Sequence, residues 1–349
     1  MAGKLRSARV RGARRATVSA FVCALVAWFI LASGAGASAN TQAAQPTTKG
    51  LSPVELYELS LDPPVEYEAR LRVWNPGVGQ VEVGLLRWDG MVRYTVETPS
   101  GPAHTAVGLG RKARYGGMPP GSGPARTVQA FAQPIAEDID LLVANYTITR
   151  EAGPSIAGCD TVVLTISPKR VGNVRRVVWV DEVTGVQLKV EDYNYRGDVV
   201  QRREVVSISY APVLRPETKA SAEAALAGAG AVPHPMSRHT VQEASKELRF
   251  NLVVPTWIPE GYHLVDTRTP RPPMGDMGPD VRVNMAHLVF HDGLGVISLY
   301  ESPVPWWARR SRPPVAGPVI EWEHAGTRFV LVGDVDPQWL VRMAQSTMN

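Results

Sequence analysis

Between residues 66 and 73 the chain alternates strictly, with Tyr67, Ala69, Leu71 and Val73 on one side and Glu66, Glu68, Arg70 and Arg72 on the other. A period of two is the signature of a half-buried antiparallel strand. Just upstream, Ser52-Pro53-Val54-Glu55 supplies an N-cap, a proline at the first helical position and a capping-box acid, so a short helix to about residue 59 is expected. Further strands are predicted over 81–88, 91–97 and 104–109, with Asp89-Gly90 as the hairpin turn between the first two. Residues 115–126 are Gly- and Pro-rich and predict loop, and 128–144 mix irregular signals with helical spacing at Ile139, Leu142 and Val143. The clearest sheet signal runs from 146 to 210. There Val-, Ile- and Thr-rich runs (162–166, 173–181, 186–193 and 199–210) are separated by turn chemistry at 181–185 and 194–197. Val186, Leu188 and Val190 face one side, and Gln187, Lys189 and Glu191 the other. A long meander wet on one face predicts a strongly curved sheet or open barrel whose apolar side is covered by helices.

From 211 to 235 the chain turns to Ala, Pro, Glu and Gly with almost no large apolar residue, the composition of a linker. Thr240-Val241-Gln242-Glu243 then opens a short helix to about residue 248. Strands are predicted over 250–254, 262–267, 281–290, 295–300, 319–324 and 327–332. Asp336-Pro337 starts a last helix with Trp339, Leu340 and Met343 on one side. This second unit reads as a smaller α+β domain. The expected boundaries are 1–39 for a signal or anchor, 40–50 for a polar leader, 51–210 for the half-barrel, 211–236 for the linker and 237–349 for the second domain.

The N-terminus changes the charge picture. Lys4, Arg6, Arg9, Arg11, Arg14 and Arg15 precede an uncharged, mostly apolar run (16–32) and small residues (33–39), the order of a secretory signal. The run also approaches the roughly 17 residues that span a bilayer, so a retained anchor stays open beside cleavage. In both cases the positive-inside bias places the rest of the chain outside the cytoplasmic membrane, in the periplasm or on the membrane's outer face. The first 39 residues hold six of the 37 Lys and Arg and none of the 33 acids, which leaves 31 basic against 33 acidic residues. The exported part therefore lacks the positive field that nucleic-acid binding needs. Of the two cysteines, Cys23 lies in the apolar run; Cys159, left alone after cleavage, is expected as a small residue buried in a strand.

Catalytic spacings are missing. Gly153-Pro154-Ser155-Ile156-Ala157-Gly158 has its second glycine one residue too late for a nucleophile elbow and reads as a loop. His-Glu-x-x-His, a phosphate-cradling loop with lysine and paired zinc cysteines do not occur. Leu288, Val289 and Phe290 between His287 and His291 read as strand. There a rise of about 3.3 Å per residue separates the two rings by roughly 13 Å, too far for one metal ion unless His291 folds back in the turn. No catalytic residue, cofactor or metal is expected, and the chain reads as a binding module. The most unusual local feature is Trp306-Trp307-Ala308-Arg309-Arg310-Ser311-Arg312 in a proline-flanked loop. Adjacent indoles beside arginines suit an anionic amphiphile, a membrane interface or a partner peptide, and equally a pair folded back onto its own domain.

Two stretches resemble a known family. Residues 254–262 (Val-Pro-Thr-Trp-Ile-Pro-Glu-Gly-Tyr) and 287–300, centred on His291-Asp292-Gly293-Leu294, are similar to the C-terminal domain of the MucB/RseB family. Ile156-Ala157-Gly158, Ile166-Ser167-Pro168-Lys169, Val178-Trp179-Val180-Asp181 and residues 184–189 resemble that family's N-terminal domain, with related segments in the lipoprotein carriers LolA and LolB. Residues 332–337 stand where the family has a Gly-Glu-x-Pro turn. Departures are His291 for the usual Ser, Cys159 for a basic residue, and long stretches at 211–235 and 302–318. The resemblance implies a LolA-like half-barrel joined to a smaller domain, and a membrane-associated stress-response regulator of a sigma-E-type pathway. Such a protein binds the extracytoplasmic domain of a membrane anti-sigma factor and senses lipid, lipopolysaccharide or lipoprotein acyl chains. The alternative is a periplasmic lipid or lipoprotein carrier. Partner-binding candidates are Trp257, Tyr262, His291, Asp292, Gly293, Leu294, Tyr300, Trp306, Trp307, Arg309 and Arg310. Candidates to line an acyl-chain cavity are Tyr67, Leu71, Val83, Leu85, Val186, Leu188 and Val190.

Overall fold

The computed structural model describes residues 48–76, 79–98, 101–109, 138–212, 236–270, 284–304 and 318–348. The predicted signal (1–39), nearly all of the Ala/Pro-rich stretch and the Trp306-Trp307-Arg309-Arg310 loop lie outside these residues.

Among the described residues two antiparallel sheets make up the fold. Helix α1 (Pro53–Leu61) precedes strands β1 (Tyr67–Asn75), β2 (Gly79–Trp88), β3 (Met91–Thr98) and β4 (Gly101–Leu109). Helix α2 (Ile139–Asn145) leads directly into β5 (Tyr146–Ala152), β6 (Thr161–Pro168), β7 (Arg175–Asp181), β8 (Gln187–Tyr193) and β9 (Val199–Ser209). The nine strands lie in the order β4-β3-β2-β1-β9-β8-β7-β6-β5, so two meanders are joined where β1 pairs with β9 and the half-barrel stays open between β4 and β5.

The alternation in β1 sets the register. Leu71 stands between Val83 on β2 and Val205 on β9, and all three are buried. With Tyr67, Ala69, Val73, Leu85, Val92, Val186 and Leu188 they form one core cluster. Asp89 and Gly90, both at positive φ, make the tight turn that Asp-Gly predicts. Helix α1 starts with the expected capping box, in which Ser52 Oγ accepts from Glu55 N and Glu55 Oε2 accepts from Ser52 N at 2.7 Å. Its Leu56, Tyr57 and Leu61 cover the other half of the sheet, where Val162, Leu164, Ile166, Val178, Val180 and Val190 form a second cluster. Arg87 on β2 pairs with Asp62 just past α1 and ties the helix to the sheet.

The second sheet holds β10 (Met236–His239), β11 (His263–Pro270), β12 (Ala286–His291), β13 (Val296–Pro303), β14 (Val319–His324) and β15 (Thr327–Gly333), in the order β10-β11-β12-β13-β15-β14. Helices α3 (Val241–Leu248) and α4 (Pro337–Gln345) cover one face, with Leu248, Leu340, Met343 and Ala344 meeting Leu288, Phe290, Ile297, Leu299, Phe329 and Leu331.

Three expectations need correction. The run 250–254 is not a strand: Phe250, Leu252, Val253 and Val254 pack on the second core, while the N–H groups of Leu252 and Val253 donate to Ser245 Oγ and Glu301 Oε2 rather than to a ladder. Strand β10, with no apolar alternation to announce it, begins at Met236 inside the expected linker. Cys159 is half-buried in a two-residue turn bridged by Ile156 and Cys159, with Ala157 and Gly158 at positive φ, not within a strand.

Candidate functional site at the joint between the sheets

Helix α2 is short, capped by Asp138, whose Oδ1 accepts from Leu141 N at 3.0 Å. Lys169 Nζ donates to the carbonyls of Val143 and Ala144 at its other end, where a cation suits the free carbonyls. Asn145, the last helical residue, is buried and turned toward the second sheet. Its Nδ2 donates to the carbonyls of Leu141 (3.1 Å), Gly261 (3.1 Å) and Asp292 (2.9 Å), and its Oδ1 accepts from Arg170 Nη1 at 2.8 Å. Arg170 also pairs with Glu260 at 2.7 Å.

Facing α2 is the hairpin between β12 and β13. Asp292 is fully buried, and its carboxylate has two tasks. Oδ1 accepts the N–H groups of Leu294 (3.0 Å) and Gly295 (2.6 Å) and so shapes the turn. Oδ2 accepts the Tyr146 hydroxyl (2.7 Å) and Asn173 Nδ2 (2.9 Å) from the first sheet. A buried carboxylate is tolerable only when it is saturated with donors in this way. Burial, and after it the charge of Asp292, pushes the hydroxyls of Tyr146 and Tyr262 far above the ordinary tyrosine range, so both stay protonated.

Close approach depends on absent side chains. A Cβ on Gly293, at φ +105°, would lie 2.4 Å from the Leu142 backbone; on Gly261 it would lie 2.5 Å from Asn145 Oδ1. Leu294 is inserted into the cluster under α1. A second contact lies beside the first: Trp339 of α4 rests on Gly172, and Asp336 N donates to the Gly172 carbonyl at 3.2 Å. Asp334 is pushed above the usual carboxylate range, first by burial and then by Asp192 of β8.

The expected partner-binding residues therefore divide. Tyr262, His291, Asp292, Gly293 and Leu294 are all buried, and Asp292, Gly293 and Leu294 touch the first sheet directly. His291 Nδ1 accepts from Gly293 N at 3.3 Å. Trp257 is half-buried on the second core with Arg342 over its ring at 4.4 Å, and Tyr300 stacks on His287 at 4.3 Å, both away from the joint. Of the cavity candidates, Tyr67, Leu71, Val83, Leu85, Val186 and Leu188 share one cluster, whereas Val190 belongs to the cluster under α1. Sequence reading missed Asn145, Tyr146, Arg170, Gly172, Asn173 and Trp339 as joint residues, because polar residues at the ends of a helix and strands look like surface. Among the described residues the joint holds no nucleophile beside a base; it is a hydrogen-bonded contact between the two sheets.

Residues 122–225, which include all the α2–β7 side of the joint, match the family model described as the MucB/RseB N-terminal domain. Over this stretch the chain is similar to that domain. In fold it is similar to a solved structure of MucB, at 19% identity over 82% of this chain and 92% of that one, with a TM-score of 0.51. It is also similar to the MucA/MucB complex of Pseudomonas aeruginosa (18% identity, 82% and 93% covered, TM-score 0.54) and to MucB in complex with MucA(peri) (18%, 81% and 92%, 0.52). The likeness thus spans both sheets. No match is found among the curated proteins.

Proposed function

We propose that this chain is an extracytoplasmic negative regulator of a sigma-E-type envelope-stress pathway, which binds the extracytoplasmic part of a membrane anti-sigma factor. The observation that carries the reading is the likeness across both sheets to MucB, including MucB solved with MucA, together with the MucB/RseB N-terminal domain. In this reading residues 1–39 direct export, residues 51–210 and 237–349 are the two working bodies, and residues 211–236 link them. The joint around Asp292 sets their relation. A partner that prefers one relation of the sheets, and a lipidic ligand that prefers another, are then coupled through it. Because Asp292, Gly293 and Leu294 are buried in the joint, they act on a partner by fixing the geometry of the surfaces around them.

The test is capture. The chain without residues 1–39 is immobilised and offered the extracytoplasmic part of a single-span anti-sigma factor from the same organism. Saturable binding supports the reading, and failure of both capture and crosslinking in the living envelope removes it. Native mass spectrometry of the purified chain tests the lipidic arm: bound acyl chains support sensing, and an empty protein after extraction from its own envelope counts against it.

A further inference from the structure

The face of the second sheet away from α3 and α4 carries a row of unusual chemistry. Arg238 on β10 is in register with Arg268 on β11, Arg268 with His287 on β12, and His287 with Tyr300 on β13. Arg238 is exposed at the sheet edge, while Arg268 and His287 are 1% and 2% exposed. One carboxylate serves both arginines: Asp266 Oδ2 accepts Arg268 Nε at 2.6 Å and Arg238 Nε at 3.2 Å. The row therefore keeps an unbalanced positive charge. Its donors are also unspent. Neither Nη atom of Arg268 nor Nδ1 of His287 has a hydrogen-bond partner among the described residues. The imidazole is fixed by stacking on Tyr300 and by a 3.0 Å hydrogen bond between Nε2 and Ser298 Oγ.

Unpaired donors on a buried guanidinium are costly, and more so because the group is charged. An oxyanion resolves both the charge and the donors. A carboxylate offers two oxygens, which the two Nη atoms would occupy. A phosphoryl group offers three terminal oxygens, a match for two guanidinium nitrogens and one imidazole nitrogen. We propose that Arg268 and His287 form a phosphoryl-binding site on this face, entered from the side of the edge strand where Arg238 is exposed. When it is filled, Ser298 donates to Nε2 and the ring proton sits on Nδ1, pointing at the ligand. Burial and the nearby Arg268 hold the empty imidazole neutral, at about 3. A phosphoryl dianion at Nδ1 favours the tautomer that carries its proton there. The site uses none of the joint residues and stands whether or not the chain regulates a sigma factor.

The test is titration of the full chain with inorganic phosphate, followed by calorimetry and by the ring nitrogen shifts of His287. Sodium acetate at matched ionic strength serves as the comparison, and dihexanoyl phosphatidate as the lipid probe. The expected result is saturable phosphate binding that Arg268→Gln weakens at least tenfold and His287→Gln several-fold, with movement of the Nδ1 resonance. Binding of phosphatidate alone also supports the site and assigns its source to lipid. Should Arg268→Gln fail to fold, the His287 shifts in the unaltered chain still report the contact. The proposal is overturned if neither phosphate nor phosphatidate saturates, if acetate binds as tightly, or if both variants bind like the parent.

Discussion

Replacing Gly293 by Ala puts the joint under a defined load. Two costs follow from the structure. At φ +105° any side chain is strained, by about 1–3 kcal/mol. The new Cβ would also lie 2.4 Å from the Leu142 backbone, against a comfortable carbon contact of about 3.5–4.0 Å, so the hairpin must retreat by about 1 Å or more. Three hydrogen bonds cross that gap at 2.7–2.9 Å: Tyr146 and Asn173 to the Asp292 carboxylate, and Asn145 to the Asp292 carbonyl. A retreat of that size stretches them beyond about 3.5 Å, where little bonding is left. Two involve a charged acceptor and one a neutral one, so their loss costs about 4–7 kcal/mol in all, with re-wetting lowering the figure. The control is Gly326→Ala in the β14–β15 turn, at φ +76° with nothing within 4 Å of the added Cβ, which meets the strain alone. Small-angle scattering and calorimetry of both variants decide the matter. Gly293→Ala should enlarge the radius of gyration and melt well below Gly326→Ala, with the sheets unfolding separately. Equal melting temperatures and unchanged scattering would refute the claim that Gly293 holds the sheets together.

Three further outcomes follow from particular contacts. Burial pushes fully buried Glu301 up to about 8, with the Val253 N–H working the other way, so the folded state holds a proton that the unfolded chain releases near 4.5. That contribution is complete below pH 4.5 and lost as pH rises to about 8, on the order of 5 kcal/mol. Urea melts at pH 5, 6.5 and 8 should show the stability of the parent falling relative to Glu301→Gln, and parallel profiles would contradict it; His287, present in both proteins, cancels. Asn145→Ala removes the donor to Gly261 and Asp292 and leaves Arg170 Nη1 without its acceptor, so about 2–4 kcal/mol of stability should go, read by chemical denaturation. Ser52→Ala breaks the α1 capping box and should cost about 1 kcal/mol, with hydrogen exchange rising first in the initial turn of the helix.

What could be read from the sequence was local. The alternation in β1, the Asp89-Gly90 turn and the capping boxes at Ser52 and Thr240 each depend on neighbours a few residues away, and each is present. The run 250–254 misled because apolar residues at strand length cannot say whether their N–H groups meet a ladder or side chains. The joint was illegible for a different reason. Asn145, Tyr146 and Asn173 reach Asp292 across 119 to 147 residues of chain, and polar side chains announce burial only through partners at that distance. The resemblance pointed at Asp292-Gly293-Leu294 without saying that their neighbours come from the same chain.

The seam between β1 and β9 sets a timetable. Glu68 lies opposite Ser209, and Trp74 opposite Arg202, so β1 waits for its second mate, synthesised about 130 to 140 positions later. A long-range pairing of this kind forms late, because its entropy must be lost before its contacts are made. A chain threaded N-terminus first through a narrow pore would thus leave β1 with β2 as its sole mate until residues 202–209 had passed. Were the chain exported, this topology would keep the larger sheet incomplete on the near side of the pore.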